Sequence, residues 1–466
     1  MFRYMKRGKR FYKNLFALAF PIVLQNLIMT SLGMVDTFMV GLLGEAPMAA
    51  VTVANTPVFI IQLLIFGIQS GSSVLISQYW GKQDNASINR IIGIGVYLAG
   101  IVSTAFALAL YLFPIQTMSI FSNNQELIPI AAEYAKIVGF SYIFNSITGV
   151  YTGAHRGMEN PKLGLFIFSI SMLVNTFLNW VLIFGKLGAP AMGVAGAALA
   201  TLISRAVEFV IMMVYAKTNH RFKLMPRLLL CPGRAMLKKY VKYSTPVVLN
   251  ETLWGMGTSI YPTIMGHMQN SKEILAAYTI AGNVDKLCTV AVFAIAGTAA
   301  IIVGKEIGKG NKSEVYDVGS ALTMVAFLMG IVTGVIMLFL VHVFIAPYIY
   351  PIFGLSPLSC QIATMMQTIT FVFLAARAFN STNIVGVLRG GGDVRAAALI
   401  DTCPLWFAAI PMAAICGLVL QLDIVWVLLA MVLENIIKFG FGLWRFRSRK
   451  WINDLTQIGE KTSVSI

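Results

Sequence analysis

Residues 66–82 read FGIQSGSSVLISQYWGK, and residues 293–309 read FAIAGTAAIIVGKEIGK. Both are apolar runs closed by Gly-Lys, and the closing lysines, Lys82 and Lys309, stand 227 positions apart. The correspondence extends outward from them. Pro21-Ile-Val-Leu-Gln matches Pro246-Val-Val-Leu-Asn, and Arg156-Gly matches Arg389-Gly. Leu173-Val-Asn-Thr matches Leu399-Ile-Asp-Thr, which sets Asn175 opposite Asp401, and Glu208 falls opposite Glu434. The chain is a repeat of two like-oriented halves. They meet at a basic stretch that holds Lys217, Arg221, Lys223, Arg227, Arg234, Lys238, Lys239 and Lys242 and no acid.

Apolar side chains make up 58% of the 466 residues and charged ones 12%. Soluble domains run nearer 45–50% and about 25%. An ordinary soluble enzyme, a disordered chain and a disulfide-stapled module are thereby excluded. Spanning the hydrocarbon takes about 20 residues per helix. The apolar runs predict twelve helices, roughly 14–42, 51–79, 91–113, 127–152, 162–185, 192–216, 241–267, 274–304, 317–346, 358–388, 395–419 and 424–444. The expected fold is an all-α polytopic membrane protein, with twelve transmembrane helices in two pseudo-symmetric six-helix lobes. Its expected organisation is a basic N-terminus at 1–13, a first lobe at 14–216, a linker at 217–240, a second lobe at 241–444 and a tail at 445–466.

Charge placement orients these helices. With twelve spans, the basic clusters collect 28 Lys and Arg on one side, while only Lys136, Lys186 and Lys272 fall on or near the other. The positive-inside rule makes the rich side, with both termini, cytoplasmic in a cell membrane. The net charge of +16 therefore reads as a topology signal touching anionic lipid, and not as a nucleic-acid surface. The first apolar run, from Leu15 past Val40, is too long for a cleaved signal core. The five cysteines are scattered, no HExxH is present, and no disulfide, metal or catalytic framework is implied. The glycines of 388–392 read as a turn, since a phosphate-binding loop needs a flanking strand and helix.

Ionisable groups inside a membrane are expensive and are functional candidates by default. Asp36 lies 15 residues after Pro21 on the first helix, about 22 Å along it. Burial favours the neutral form of a carboxyl, so such a group can take up and release a proton. Pro21 removes one backbone hydrogen bond and lets the helix bend. Asn175 and Asn179, at i and i+4, share a helix face and need partners. Asp36 is the natural one, with Thr201 nearby. In the second half Glu251, Asp285, Arg377 and Asp401 form a candidate polar cavity wall or second ion site, with Arg377 expected to pair with Asp401 or Glu251. Arg205/Glu208 and Glu434/Lys438 have the spacing of self-paired structural charges.

Several of these stretches together carry a family resemblance. They are Pro21 with Asp36-Thr-Phe-Met-Val-Gly41, Arg156-Gly-Met-Glu-Asn-Pro-Lys162, Leu388-Arg-Gly-Gly-Gly-Asp-Val-Arg395, Gly196-Ala-Ala-Leu-Ala-Thr201 and Gly304-Lys-Glu-Ile-Gly308. Over essentially its whole length the chain resembles the multidrug and toxic compound extrusion (MATE) family. The resemblance implies an ion-coupled antiporter that alternates access between two lobes. It implies that Pro21 and Asp36 belong to a bending first helix and its ion site, and that Asn175 and Asn179 line that cation pocket. Some members carry a second aspartate at the position of Asn179, so H⁺ and Na⁺ both stay open as coupling ion. Some also have a helix-seven glutamate where Trp254 stands and a helix-ten aspartate where Ala378 stands.

The expected function is export of organic, often cationic or amphipathic compounds in exchange for H⁺ or Na⁺, with no cofactor, by a monomer in the bilayer. The alternative is a flippase or exporter of a lipid-linked or other specific metabolite, which would need a cavity lined by cations. An enzyme and a transporter driven by ATP hydrolysis are disfavoured, because neither a catalytic cluster nor a nucleotide-binding domain is visible.

Overall fold

The computed structural model describes residues 7–219 and 221–457, apart from the side chain of Lys312. Arg3, Lys6 and Lys461 of the basic termini lie outside the described residues. The described chain is helical throughout its spans. The first half contains α1 (Lys9–Gly41), α2 (Glu45–Gly81), α3 (Asn85–Leu112), α4 (Leu127–Gly157), α5 (Lys162–Phe184) and α6 (Gly193–Thr218). The second contains α7 (Arg234–Thr258, resumed at Ile260–Gly266), α8 (Ser271–Gly308), α9 (Lys312–Leu340, continued by a wider turn at Val341–Ile349), α10 (Pro357–Val372 with Leu374–Leu388), α11 (Val394–Val419) and α12 (Ile424–Arg447).

Ten of these runs are single helices long and apolar enough to cross a membrane, and α10 is an eleventh, bent by 51°. The seventh span is the least apolar and is interrupted at Ser259. Pro262, in the first turn of the resumed segment, has no N–H to give to the carbonyl four residues back, so one rung of the ladder is missing beside the break. Together these are the twelve helices of a polytopic membrane fold. Leu173, Phe407 and Val419 are 71%, 81% and 73% exposed. Large apolar side chains displayed at this scale suit a surface whose solvent is lipid tails.

The repeat is visible in the packing. In the first half α4 packs against α2, α3 and α6, and α5 against α6; in the second, α10 packs against α8, α9 and α12, and α11 against α12. The chain forms two compact units, 20–248 and 249–466 with 1–19. The first two repeat helices therefore change unit along their length, one residue before Pro21 and two residues after Pro246. The start of α1 packs within the second unit: Leu15, 1% exposed, lies in a cluster with Val303, Ile307 and Leu322. The start of α7 packs within the first unit, where the Tyr240 hydroxyl lies 2.8 Å from Ser72 Oγ and Lys239 Nζ donates to the Tyr79 hydroxyl at 2.7 Å.

Gly67 and Gly71, one turn apart on α2, make that close approach possible. A Cβ on Gly67 would lie 2.7 Å from the Val248 Cα, and one on Gly71 2.7 Å from the Ser244 Cβ. This is the small-residue contact that lets membrane helices meet backbone to backbone. Gly71→Leu is expected to destabilise the first unit by about 1–3 kcal/mol, the range for overpacking, and to lower the thermal midpoint in nanodiscs. Gly100→Leu, where a Cβ meets nothing within 4 Å, is the matched control and should leave the midpoint in place.

Candidate functional site

The first-lobe site grows from three helices. α1 supplies Asp36, α5 supplies Asn175 and Asn179, and α6 supplies Thr201. The i, i+4 spacing on α5 stacks the two amides on one face. Asn179 Nδ2 donates to Asp36 Oδ1 at 2.6 Å and to Asn175 Oδ1 at 3.1 Å. Asn175 Nδ2 reaches Thr201 Oγ1 at 3.4 Å, and that hydroxyl donates back to the Ala197 carbonyl at 3.0 Å. Asn175 and Asn179 are 1% and 0% exposed. The four residues named from the sequence are thus one continuous relay from a carboxylate into the helix core. Pro21 sits apart from them, within an α1 that stays a single helix through it.

Two features give this relay its chemistry. Asp36 has no Lys or Arg within ion-pair distance among the described residues, whereas Arg205 Nη1 and Glu208 Oε2 close on each other at 2.6 Å. Arg205 acts on Asp36 only through its field, and the buried Tyr134 and Tyr142 of α4 face the same carboxylate. Asn179 Oδ1 is a buried acceptor without a donor. A buried acceptor left open costs about 1–3 kcal/mol. A carboxylate beside such an oxygen is a fitting place for one proton or one hard monovalent cation, because both satisfy oxygen acceptors. The tyrosines were not found from the sequence, although Tyr134 and Tyr142 are separated by about two helical turns and share the α4 face.

The second-lobe candidates do not form one wall. They separate into three ion pairs. Arg377 Nη1 binds Asp285 at 2.8 and 3.0 Å, and pairs with neither Asp401 nor Glu251. Glu251 is held by Arg389 at 2.5 Å. Asp401 is held by Lys438 at 2.9 Å and accepts from Asn250 Nδ2 at 3.0 Å, and Thr402 Oγ1 donates to Asn250 Oδ1 at 2.7 Å. Lys438 is therefore bound mainly to Asp401; its distance to Glu434 is 3.7 Å, so the expected self-pair on α12 is only its weaker contact. The physical reason is reach. A lysine on α12 meets a carboxylate of the adjacent α11 head-on, but meets its own i−4 neighbour only by lying along the helix.

Arg389 was missed as the partner of Glu251, and Lys438 as the partner of Asp401. Arg389 stands beside a glycine-rich turn and reads as a cytoplasmic surface cation, yet it is 2% exposed. The repeat register offers one signal for Asn250, which falls opposite the buried Gln25. No cluster of three or more His, Cys, Asp and Glu side chains suited to a metal ion is found among the described residues.

Two like-oriented six-helix repeats define a class: a polytopic membrane-transporter fold. Residues 21–181 and 246–415 match the MatE family model, one match to each half. The chain belongs to the MatE family and is a membrane transporter, not an enzyme.

Its similarity to named relatives is long but dilute. It is 27% identical to a probable multidrug resistance protein NorM of Thermotoga maritima, over 94% of this chain and 93% of that one. It is 26% identical to a multidrug resistance protein MdtK of Yersinia pestis, over 87% and 88%. The fold superposes on an outward-facing multidrug resistance MATE family transporter of the MOP superfamily, with a TM-score of 0.83, 19% identity and coverage of 94% and 96%. It superposes equally on a MOP superfamily transporter from Pyrococcus furiosus described as having a binding pocket of reverse polarity, with a TM-score of 0.84, 20% identity and 96% of both chains.

Proposed function

We propose that this chain is a secondary active antiporter that exports organic, cationic or amphipathic compounds in exchange for H⁺ or Na⁺. In this reading it works as a monomer in the cell membrane, with both termini cytoplasmic and with the lobes 14–216 and 241–444 alternating access. The observation that carries the reading is the Asp36 carboxylate, tied to Asn179 and lacking a base of its own. Names of the relatives support the substrate class, since NorM and MdtK are described as multidrug resistance proteins.

Coupling needs the ion to bind the two access states unequally, because a ligand of equal affinity for both shifts nothing. Asp36 and its amide partners belong to two helices, α1 and α5. Any bending of α1 at Pro21 would change the distance from Asp36 to Asn179, and with it the cation affinity. By linkage, substrate binding then changes ion affinity by the same factor. The coarse requirement for oxygen donors is met by Asp36, Asn175, Asn179 and Thr201 whether the ion is H⁺ or Na⁺.

The test is uptake of a fluorescent organic cation into proteoliposomes, under an imposed proton gradient in one arm and a sodium gradient in the other. Flux in at least one arm supports the reading, and the arm identifies the ion. No flux above protein-free liposomes in either arm would remove it.

A flippase for a lipid-linked precursor is the second reading, and the ion pairs argue against it. Holding phosphates needs several cations directed into a cavity. Arg205, Arg377, Arg389 and Lys438 are each already held by a carboxylate.

A further inference from the structure

The second lobe contains a partly buried acid that the proposed coupling at Asp36 does not use. Four acids of this lobe each have a base of their own: Glu251 with Arg389 at 2.5 Å, Asp285 with Arg377 at 2.8 Å, Asp401 with Lys438 at 2.9 Å and Asp393 with Arg445 at 2.6 Å. Glu434 on α12 has no base to itself. It shares Lys438 at 3.7 Å, and its Oε2 is buried without a hydrogen-bond partner.

The groups facing Glu434 come from every neighbouring element. Lys438 lies one turn away on its own helix, Asp401 faces it from α11, and Arg377, already bound to Asp285 of α8, faces it from α10. From the resumed segment of α7 comes Tyr261, which is 3% exposed. Its hydroxyl is buried and unpartnered. In the repeat register Tyr261 stands at the position of Asp36, Asp401 at that of Asn175 and Glu434 at that of Glu208. In the first lobe Glu208 is closed by Arg205, and Asp36 has no base within ion-pair distance among the described residues. In the second lobe the helix-one acid has become a tyrosine, Asp401 holds Lys438 at 2.9 Å, and Glu434 is left with the weaker share of it at 3.7 Å.

We propose that Glu434 is a second proton-exchange site, in the second lobe, with Lys438 as the ammonium that Asp401 and Glu434 share. Counted as formal charges, Asp401, Glu434 and Lys438 sum to −1. An uncompensated charge in a low-dielectric interior is costly and is relieved by neutralisation. The relief here is one proton on Glu434, which turns the carboxylate into an acid able to donate a hydrogen bond while Lys438 stays with Asp401. When the proton leaves to water, Lys438 is drawn toward both carboxylates and loosens Asp401 from the contact. The Glu434 side chain is 15% exposed. The site thus links the protonation of α12 to the packing of α11 on α7 through Asp401 and Asn250. It does not rest on the role given to Asp36.

The experiment is infrared difference spectroscopy of the full-length protein in nanodiscs, titrated from alkaline to acid pH, following the stretch of protonated carboxyls. Any band lost between the unsubstituted protein and Asp36→Asn reports on Asp36 alone. A titrating band should remain in Asp36→Asn and should be missing from Asp36→Asn/Glu434→Gln. A remaining band that survives Glu434→Gln, or no remaining band at all, overturns the proposal. Should the glutamine variant not fold, Asp36→Asn/Glu434→Asp decides the matter. The band must then move to the frequency of an aspartic acid, and an unmoved band overturns the proposal equally.

Discussion

Asp36→Asn in proteoliposomes lowers gradient-driven export by about 100-fold, toward the upper end of what a single coupling interaction supplies. The protein should stay folded, because the new amide carbonyl can still accept from Asn179 Nδ2, which now donates to Asp36 Oδ1 at 2.6 Å. What disappears is the acid, and with it the difference in ion affinity between access states. Binding of a fluorescent substrate, measured without a gradient, should remain within a few-fold of the parent protein. The informative result is therefore a split between binding and driven flux. Equal driven flux in the two proteins would show that the carboxylate has no part in coupling.

The second large effect is on stability. Arg389→Met leaves Glu251, whose side chain is 13% exposed, without its guanidinium. Removing one member of a buried ion pair costs about 3–5 kcal/mol, because the other charge stays buried and uncompensated. In a unit of this size that corresponds to a fall in the thermal midpoint of about 10 °C. Replacing both partners, Arg389→Met with Glu251→Gln, should recover most of the fall, since no buried charge is then left over. The pairing is wrong if the double variant is as unstable as the single one, or if the single one melts with the parent protein. Glu251→Gln alone is milder, because a guanidinium is more weakly hydrated than other ions of its charge.

The helix count and the repeat were legible because both are one-dimensional properties. A span is a run of about 20 apolar residues, and Phe66–Lys82 resembles Phe293–Lys309 whatever surrounds them. The grouping of Asp36, Asn175, Asn179 and Thr201 was legible for a different reason. Asp36 is the single acid on α1, and the i, i+4 spacing sets Asn175 and Asn179 on one face of α5. The second lobe lacked that advantage. With Glu251, Asp285, Arg377, Arg389, Asp401, Glu434 and Lys438 all near its core, charge matching alone permits many pairings. Arg377 was expected on Asp401 or Glu251 and binds Asp285 instead. Arg389 was counted among the basic residues of the cytoplasmic loops, whereas it is 2% exposed and the glycine turn after it lies against Trp451.

From sequence alone came the lipid-facing character of the helices, their division into two related halves and the single acid on α1. Each follows from composition and spacing, since the hydrophobic effect acts on runs and faces and does not need to know which residues meet. Tertiary structure alone decided which base closes on which acid, that the starts of α1 and α7 pack in the unit opposite to the rest of their helices, and that Glu434 is left to share a lysine. A charge pair depends on distances of a few ångströms between helices far apart in the chain, and Coulomb energy falls off with that distance. Those separations are set by how side chains such as Leu15, Ser244 and Val248 pack, and no periodicity along the chain records them.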